Sequence, residues 1–368
     1  MATPVLERIE SSPAKKKPIR RSMPDRSQRI RHIVQAAFVV LNVWIGAQFY
    51  LWVRFFERGG HGFAVPRPAG VEGWLPIAGL MNTKEFFLTG RVSAIHPAAM
   101  FLFMAFVAIS LLAKKAFCSW ICPVGTISES LWKLGRKLFR RSLHLPLYPP
   151  RWLDIPLRGL KYVLLGFFLF VVGTMSADAL QSFMATPYGL IADVKMLNFF
   201  RNMGETAAII IVLLVVGSML VENFWCRYLC PYGALMGLVS LLSPIKIRRD
   251  ADACIDCGKC ARACPAALPV DRLVQIRSVE CTACMECVAA CPSANALQLA
   301  LPPRRSNAPA QRWLRRALSP LAVACLIVYL FLGAVLFAHA TNHWQTRIPS
   351  QMYLDLIPNA DSFAHGGM

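Results

Sequence analysis

The chain has 368 residues, of which 56% are hydrophobic, and it carries a formal net charge of +20 at pH 7. Its apolar residues lie in long runs rather than in short periodic patches, which excludes an ordinary soluble globular protein. A chain this basic binds either nucleic acid or an anionic membrane surface, and the positions of the charges distinguish the two.

Five runs that are poor in charge predict membrane spans. Residues 32–53, 92–113 and 317–346 contain no Asp, Glu, Lys or Arg and can each cross the roughly 30 Å hydrocarbon layer. Residues 162–177 and 206–221 are only 16 residues long, but flanking side chains that reach the interface extend them. We therefore expect five transmembrane helices.

The segments between these spans alternate in charge. One set holds 31 Lys and Arg, whereas the other holds seven. The basic set is 1–31, 114–158 and 226–316, and the other set is 57–95, 177–204 and 339–368. Under the positive-inside rule the basic set is cytoplasmic, which predicts a multi-pass protein of the bacterial inner membrane whose basic face contacts lipid headgroups. The charge therefore requires no nucleic acid partner.

The positions of the cysteines agree with this topology. Twelve of the 13 cysteines fall in the segments assigned to the cytoplasm, where thiols stay reduced and serve as metal ligands rather than as disulfides. Cys325 lies alone in the fifth span, and we interpret it as a small buried hydrophobic residue.

A C-x3-C-P-x-G motif follows both the second and the fourth span. It contains Cys118 and Cys122 in its first copy and Cys226 and Cys230 in its second. A spacing of four residues puts both sulfurs of a pair on one helix face, and the proline predicts a helix boundary or a kink. Two interpretations are open: an additional redox or metal site, and packing cysteines beside helix kinks.

The spacing C-x2-C-x2-C-x3-C-P occurs twice between the fourth and fifth spans. The first run comprises Cys254, Cys257, Cys260 and Cys264, and the second comprises Cys281, Cys284, Cys287 and Cys291. In bacterial two-cluster ferredoxins, three cysteines of such a run bind one [4Fe–4S] cluster and the fourth binds the other. A zinc ribbon is the alternative for paired cysteine motifs.

This crossed arrangement defines two ligand sets. We expect cluster 1 on Cys254, Cys257, Cys260 and Cys291, and cluster 2 on Cys281, Cys284, Cys287 and Cys264. The fourth cysteine of each run is expected to begin a short helix. Gly258 and the alanines near the ligands suit a chain that wraps closely around inorganic sulfide.

These motifs resemble those of a known family. The doubled C-x3-C-P followed by the twin ferredoxin run, with GWLPI at 73–77, IHP at 95–97 and FCSWICPVG at 117–125, is similar to the NapH/NosR/CcoG group of polyferredoxin-type membrane proteins. The resemblance covers roughly residues 35–340. It implies electron exchange with the quinol pool, as in the quinol dehydrogenase subunits that serve periplasmic nitrate and nitrous oxide reduction.

The resemblance also implies the partners. The redox partner is a periplasmic reductase or cytochrome, or a cytoplasmic donor. The alternative within the group is a cupric reductase or metal-centre assembly factor for a respiratory enzyme. The chain has no room for the large periplasmic flavin domain of the nitrous oxide branch, and a short quinol-linked member is the closer match.

Two [4Fe–4S] clusters are the expected cofactors, with quinone or quinol as a diffusible substrate. The sequence has no C-x-x-C-H, Walker A or G-x-G-x-x-G motif for another cofactor. Candidates for the quinone site are His96, whose imidazole can accept a proton, and Glu222, an acid near membrane depth. No residue is assigned a catalytic role.

The expected fold is a membrane all-α bundle of five transmembrane helices with an inserted α+β bacterial-type 2[4Fe–4S] ferredoxin module. Its parts are a disordered basic cytoplasmic N-terminus (1–31), a four-helix transmembrane region with both C-x3-C-P motifs (32–240), the cytoplasmic ferredoxin domain (244–303), the fifth transmembrane helix (317–338) and a periplasmic tail (339–368).

The charge asymmetry predicts the outcome of reporter fusions. A reporter fused after Met368 is expected to be active in the periplasm, and one inserted at residues 304–312 is expected to report the cytoplasm, because the basic segments stay inside. The measurement is the activity of paired periplasmic and cytoplasmic reporters at each site. A cytoplasmic C-terminus would contradict the five-span topology.

Overall fold

The computed structural model describes residues 25–139, 149–302 and 317–363. Within these residues the fold is helical, with a single two-stranded sheet. Three helices are long and apolar enough to cross a membrane, namely Ser27–Glu57, Trp152–Thr174 and Pro320–Ala340. Residues 192–220 add a fourth crossing if their two helices, which meet at 82°, form one broken span.

The helices and strands are labelled in chain order. They are α1 (Ser27–Glu57), α2 (Pro76–Thr89), α3 (Pro97–Leu112), α4 (Ala116–Trp120), α5 (Pro123–Phe139), α6 (Arg151–Thr174), α7 (Ala177–Met184), α8 (Pro187–Leu190), α9 (Ala192–Arg201), α10 (Glu205–Leu220), α11 (Pro231–Val239), β1 (Lys246–Arg249), α12 (Lys259–Arg262), α13 (Glu286–Ala290), β2 (Leu297–Ala300), α14 (Pro320–Ala340) and α15 (Ser350–Leu356). Short 3-10 turns at Ala69–Trp74 and Ala360–Ser362 and a π-helical turn at Trp225–Leu229 complete the description.

The five expected spans all fall on helices, but two of these helices are short. Helix α3 has 16 residues, which at 1.5 Å per residue gives about 24 Å, less than the hydrocarbon thickness. Helix α10 also has 16 residues and is sharply bent against α9. By length and composition the described chain therefore contains several apolar helices, three or four of which qualify as spans.

Two local expectations were wrong. Helix α1 begins at Ser27, and Arg31 in its first turns is 1% exposed, so the predicted disordered segment extends too far; residues 1–24 lie outside the described residues. Cys325 is exposed on α14 rather than buried. The buried side of that helix carries Val323, Ala324 and Ile327 instead.

The two C-x3-C-P motifs are equivalent corners of the fold. Each connects an apolar helix to a second helix that begins at the motif's proline, Pro123 for α5 and Pro231 for α11, so the predicted helix boundary is present in both copies. The two repeats pack closely where α5 crosses α10. Gly135 is required there because a Cβ atom would overlap the backbone of Met219.

The ferredoxin module shares its core with the helices. Strands β1 and β2 pair antiparallel, with Lys246 opposite Ala300, and bring the two ends of the module together. One hydrophobic core includes Phe106 of α3, Met236 of α11 and Ile247 of β1. The module is therefore packed onto the helical bundle rather than attached to it only by the connecting chain.

Candidate functional site

The two ferredoxin runs share an unusual backbone conformation. At the second and fourth residues after the first cysteine, φ is positive: 51° and 66° at Asp256 and Gly258, and 52° and 61° at Ala283 and Met285. Residues other than glycine rarely adopt this conformation. Such turns aim successive backbone N–H groups into a concave nest that binds anions, iron–sulfur clusters among them. Both loops thus fit a cluster through their backbone as well as their thiols.

The expected ligands of cluster 2 line one cavity. Cys281, Cys284 and Cys287 come from the second run and Cys264 from the first. In the other direction, Cys260 lies close enough to Cys291 for the two thiols to interact electrostatically. Both neighbour relations cross between the runs, and the two crossed ligand sets stay a prediction from the ferredoxin spacing.

The short helices of the module lie elsewhere than expected. Helices α12 and α13 each contain the third cysteine of a run and end before the fourth, so the expectation that the fourth cysteine begins a helix was wrong. Cys264 and Cys291 instead follow the helix ends. The next residue in each case, Pro265 or Pro292, disfavours helical conformation at the cysteine before it.

The described residues contain no group of three or more His, Cys, Asp or Glu side chains that could hold a single metal ion. A [4Fe–4S] cluster makes a different demand, because its thiolates bind separate irons and surround a volume rather than a point. The thiol donors and the two backbone nests are the observations that fit such clusters.

Side chains of α1, α4 and the segment between α3 and α4 bind the backbone of the second run directly. In each of four hydrogen bonds, the acceptor is a backbone carbonyl oxygen next to or within the run. The donor and acceptor residues are Gln28 and Cys284 (2.9 Å), Ser119 and Thr282 (2.6 Å), Trp120 and Ala283 (3.2 Å), and Lys114 and Ser278 (2.9 Å). These bonds fix the second run at the cytoplasmic ends that the charge pattern predicts for the spans.

A buried arginine reinforces this attachment. Arg31 donates two hydrogen bonds to Glu129, at 2.7 and 2.8 Å, and one to Glu286 at 2.9 Å. Burial by itself raises the pKa of Glu129, but the hydrogen bonds from Arg31 and Lys133 bring it down to about 2. The ion pair therefore remains charged throughout the physiological pH range.

The C-x3-C pairs sit on widened turns rather than on regular helix. Cys122 N–H donates to the Phe117 carbonyl at 3.0 Å, and Cys230 N–H donates to the Trp225 carbonyl at 2.9 Å. Both bonds reach back five residues, the π-type pattern that often marks functional sites. The expected α-helical geometry of the pairs is therefore modified in the same way in both copies.

The second cysteine of each pair caps a helix. Gly233 N–H, in the first turn of α11, donates to Cys230 Sγ at 3.2 Å, and Gly125 N–H makes the equivalent bond to Cys122. Backbone donors at a helix N-terminus favour the thiolate form of a cysteine. Hydrogen bonds to sulfur also tune the potential of an iron–sulfur centre.

Two buried lysines, Lys115 and Lys161, lie near the thiols of this quartet. Lys115 is 2% exposed and interacts electrostatically with Cys118, Cys226 and Cys230. Two other cations that sequence proximity suggests are engaged elsewhere. Lys114 binds Ser278, as above, and Arg227 donates from Nε and Nη2 to Asp154, each at 3.1 Å.

The quartet is buried enough to suppress ionisation of the free thiols. Burial raises the pKa of Cys118 to about 12 and that of Cys122 to about 11. Charge on the neighbouring thiols raises the pKa of Cys118 further, whereas Lys115 lowers it. Without a bound metal these cysteines are protonated at neutral pH.

A large apolar cavity of about 1040 Å³ begins at the quartet. All four quartet cysteines line it, together with aromatic and aliphatic side chains of α1, α3, α6 and α14. Apart from the cysteines, Tyr232 and the tryptophans, the polar side chains at its wall are Asn42, Gln48, Arg67 and Gln345. Cys118 and Cys226 line both this cavity and the one that contains the cluster 2 cysteines.

Neither candidate quinone residue lines the apolar cavity. His96 is fully buried, with Nε2 3.0 Å from the Gly189 carbonyl and Nδ1 3.4 Å from Glu72. Glu222 lines the cluster 2 cavity instead, and Asn223 with φ of 56° separates it from the turn that holds Cys226. Burial raises the pKa of Glu222 to about 8.

Sequence reasoning missed several residues of these sites. Arg31 falls in the segment that the sequence predicts to be disordered. Its position directly before an apolar run was the signal that it belongs to the amphipathic first turns of the same helix. Arg67 and Glu72 carried no motif, since the two side chains meet only through folding. The pairing of Lys161 with Glu280 at 2.6 Å likewise has no signature in sequence, as 119 residues separate the partners.

Comparison with known proteins identifies the family. A profile described as a 4Fe-4S binding domain matches residues 95–142 and 204–250, which contain the C-x3-C-P motifs, and one described as a 4Fe-4S dicluster domain matches residues 246–292. YccM of Escherichia coli, whose name describes electron transport, is 49% identical over 335 residues, with 91% of each chain covered. The chain belongs to the NapH-type polyferredoxin family.

More distant members share the same core. The ferredoxin-type protein NapH of Haemophilus influenzae is 27% identical over 199 residues, which are 52% of this chain and 62% of NapH. The methylamine utilization ferredoxin-type protein MauN of Paracoccus denitrificans is 26% identical over 157 residues, 42% of this chain and 50% of MauN. No solved structure matches the chain. The protein is accordingly an iron–sulfur electron transport protein of the ferredoxin type with membrane helices.

The crossed cysteines lead to a testable prediction. Cys264→Ser is expected to disturb the EPR signal of the cluster on Cys281, Cys284 and Cys287 more than that of the cluster on its own run, because Cys264 lines the cavity of the second set. The measurement is EPR of anaerobically purified, reduced protein.

Cys291→Ser is the matched variant and should act on the first cluster. Selective loss of the first cluster in Cys264→Ser protein would contradict the crossed assignment.

Proposed function

We propose that this protein passes electrons between quinol bound in the apolar cavity and a redox partner through two [4Fe–4S] clusters. The observation that carries the proposal is that Cys118 and Cys226 line both the apolar cavity and the cavity of the cluster 2 cysteines. These two residues thus lie between the cavity proposed for the quinol and the cavity proposed for cluster 2.

The two clusters take the ligand sets that the ferredoxin spacing implies. Cluster 1 is held by Cys254, Cys257, Cys260 and Cys291, and cluster 2 by Cys281, Cys284, Cys287 and Cys264. Cluster 2 lies against the membrane helices, whereas the loop of cluster 1 carries the exposed Asp256 and Lys259 at the surface of the module. The order of electron transfer is therefore cavity, cluster 2, cluster 1 and soluble partner, or the reverse.

The size and lining of the cavity support a quinone as the occupant. Small-molecule sites typically enclose about 300–1,000 Å³ and are mostly apolar with a few polar groups. The cavity here, at about 1040 Å³, suits a quinone ring with part of its isoprenoid tail. Gln345 at its wall offers a donor to a quinone oxygen, a role that sequence reasoning gave to His96 and Glu222.

The quartet Cys118, Cys122, Cys226 and Cys230 is the point of electron entry. Its thiols are buried, capped by backbone N–H groups and faced by Lys115, an environment that stabilises thiolates once a metal is bound. A further iron–sulfur centre at this position would bridge the cavity and cluster 2. The 4Fe-4S family profile matches these two segments.

The setting is the bacterial inner membrane with five crossings. Helices α3 and α10 would be the fourth and fifth crossings. Because both helices are short, the bilayer would be locally thinner around them. In this orientation the N-terminus and the ferredoxin module face the cytoplasm and the residues after α14 face the periplasm. The positive-inside charge distribution supports this arrangement.

The names of the relatives described above refer to electron transport and to ferredoxin-type proteins, and none refers to copper. We therefore do not propose that this protein is a cupric reductase or an assembly factor.

The direct test reduces the purified protein with dithionite and follows the clusters optically. Reoxidation by a quinone analogue but not by Cu(II) is expected, and the opposite result would refute the quinol proposal.

The cavity makes a prediction for one side chain. Leu164→Trp places a bulky ring at the cavity wall, and we expect the KM for quinol to rise on the order of tenfold, about 1.4 kcal/mol. Leu169→Trp is the control, because Leu169 lies on the same helix, is 41% exposed and is not part of the wall.

The readout is quinol-driven cluster reduction in anaerobic detergent solution, with iron content as the check on assembly. An unchanged KM in Leu164→Trp protein with a normal iron content would exclude the cavity as the quinol site.

The quartet makes a second prediction. Cys226→Ser is expected to leave both ferredoxin clusters assembled, while quinone-linked reduction and oxidation of these clusters fall at least roughly 100-fold, since the entry point is lost. Cys325→Ser is the control, because that thiol is exposed on α14.

Iron and sulfide analysis with EPR separates the possibilities. About eight irons per chain indicate two cubanes, and about four more indicate a third centre. Normal quinone-linked turnover in Cys226→Ser protein would return the quartet to a packing role.

A further inference from the structure

A buried charged network lies at the end of the apolar cavity away from the quartet. Arg67 donates to Glu72 at 2.7 Å and to Asp193 at 2.6 Å, and His96 Nδ1 lies 3.4 Å from both Arg67 and Glu72. The side chains of all four residues are at most 8% exposed. Arg67 also lines the cavity, so the network borders the proposed quinol site.

This network and the quartet are at opposite ends of α3. His96 immediately precedes the first residue of the helix, and Cys118 lies in α4, six residues after its last residue. Sixteen residues separate the helix ends, a distance of about 24 Å. Helix α1 spans the same interval, with Gln28 bound to the second cysteine run and Trp52 packed on Tyr353 near Arg67.

The network lacks one positive charge. Two carboxylates, Glu72 and Asp193, face one guanidinium, so the sum is −1 with neutral His96 and zero with protonated His96. The Gly189 carbonyl can only accept, so His96 Nε2 carries a hydrogen. Nδ1 can then accept from Arg67 when His96 is neutral, or donate to Glu72 when it is protonated. A proton can be taken up without moving any heavy atom.

A half-buried hydroxyl bonds to Glu72, the carboxylate beside His96. Thr346 Oγ1 donates to Glu72 at 2.6 Å and accepts from Arg67 at 3.2 Å. Thr346 is half-buried, and the adjacent Gln345 is exposed and lines the cavity. Among the described residues, the buried hydroxyl of Tyr353 near Arg67 has no hydrogen-bond partner, which offers a position for a bridging water.

The backbone of His96 has an energetically unfavourable conformation. Its φ of 51° is left-handed, which is unfavourable for a residue before proline. Asn82 stabilises it by donating to the carbonyls of Ile95 and His96, each at 2.9 Å. Strained residues that the surroundings hold in place cluster at functional sites.

We propose that this network accepts the protons of quinol oxidised in the cavity and releases them at the end of the molecule away from the clusters. The inference rests on the proposed quinol site and adds a function: electron transfer then separates charge across the bundle. Each quinol becomes quinone by losing two electrons, which leave through the quartet to the clusters, and two protons. His96 takes the first proton and passes it through Glu72, which contacts both His96 and Thr346, to the Thr346 hydroxyl and solvent before it takes the second.

The test uses the full chain in liposomes that contain a trapped pH dye. Quinol is added to the membrane and ferricyanide to the outside, where it oxidises only clusters that face outwards and takes up no protons. We expect the lumen to acidify in proportion to the ferricyanide reduced, and an uncoupler to abolish the pH difference.

Acidification of the outer medium instead, with ferricyanide reduction continuing, would overturn the inference while leaving the quinol function intact. An absence of quinol-dependent ferricyanide reduction would refute the quinol function, and the inference with it.

A variant separates a proton-carrying role from a structural one. His96→Gln keeps hydrogen-bonding atoms but cannot hold the extra proton, so quinol-driven ferricyanide reduction should fall roughly 100-fold. Its dependence on pH between roughly pH 6 and 8 should also disappear. His61→Gln is the matched control, because His61 is exposed beyond the same end of α1.

Iron content and dithionite-reduced EPR must equal those of the unmodified protein, which shows that the variant is folded. Thr346→Val, which removes only the connecting hydroxyl, should slow lumenal acidification in the same assay. A His96→Gln protein with the original rate and pH profile would assign the network a purely structural role.

Discussion

The Arg31 guanidinium is the interaction on which the rest of the structure depends. The Arg31 side chain extends from α1 and binds Glu129 of α5 and Glu286 of the second cysteine run at the same time. Removing one partner from a buried ion pair costs about 3–5 kcal/mol, because the remaining charge stays buried. A single desolvated cation therefore holds together two helices and a cluster-binding loop. Gln35, which donates to Glu129 at 3.1 Å, and Gln28, which donates to the Cys284 carbonyl, reinforce the same contacts.

This attachment determines what kind of electron carrier the protein can be. A ferredoxin domain on a flexible linker would have to find its donor by diffusion, whereas here the second run shares a core with α3 and α11. Lys161 with Glu280 and Lys114 with Ser278 add contacts from other helices. The cysteines of the second run are thus held at a fixed place beside the quartet, whereas the loop of the first run carries the exposed Asp256 and Lys259.

The internal repeat explains how four thiols and a cavity arise at one place. In each copy a π-type turn carries the first cysteine, and a new helix begins at the proline after the second. Because the helix changes direction at this point, the chain leaves space beside it that neither helix fills. Aromatic and aliphatic side chains line this space, and the small number of polar groups at its wall makes it suitable for a lipophilic guest.

The sequence by itself determined the apolar helices, the two ferredoxin runs, their crossed ligand sets as a prediction, and the helix starts at Pro123 and Pro231. These features depend on local spacing, hydropathy and proline geometry, which are properties of short stretches of chain. Only the tertiary structure decided the burial of Arg31, the exposure of Cys325, and the network of Arg67, Glu72 and Asp193. Partners in that network are up to 126 residues apart, and ion pairs at such separations leave no periodic or motif signal. The same reason explains why His96, chosen from its position at a span end, proved to face a carboxylate rather than the cavity.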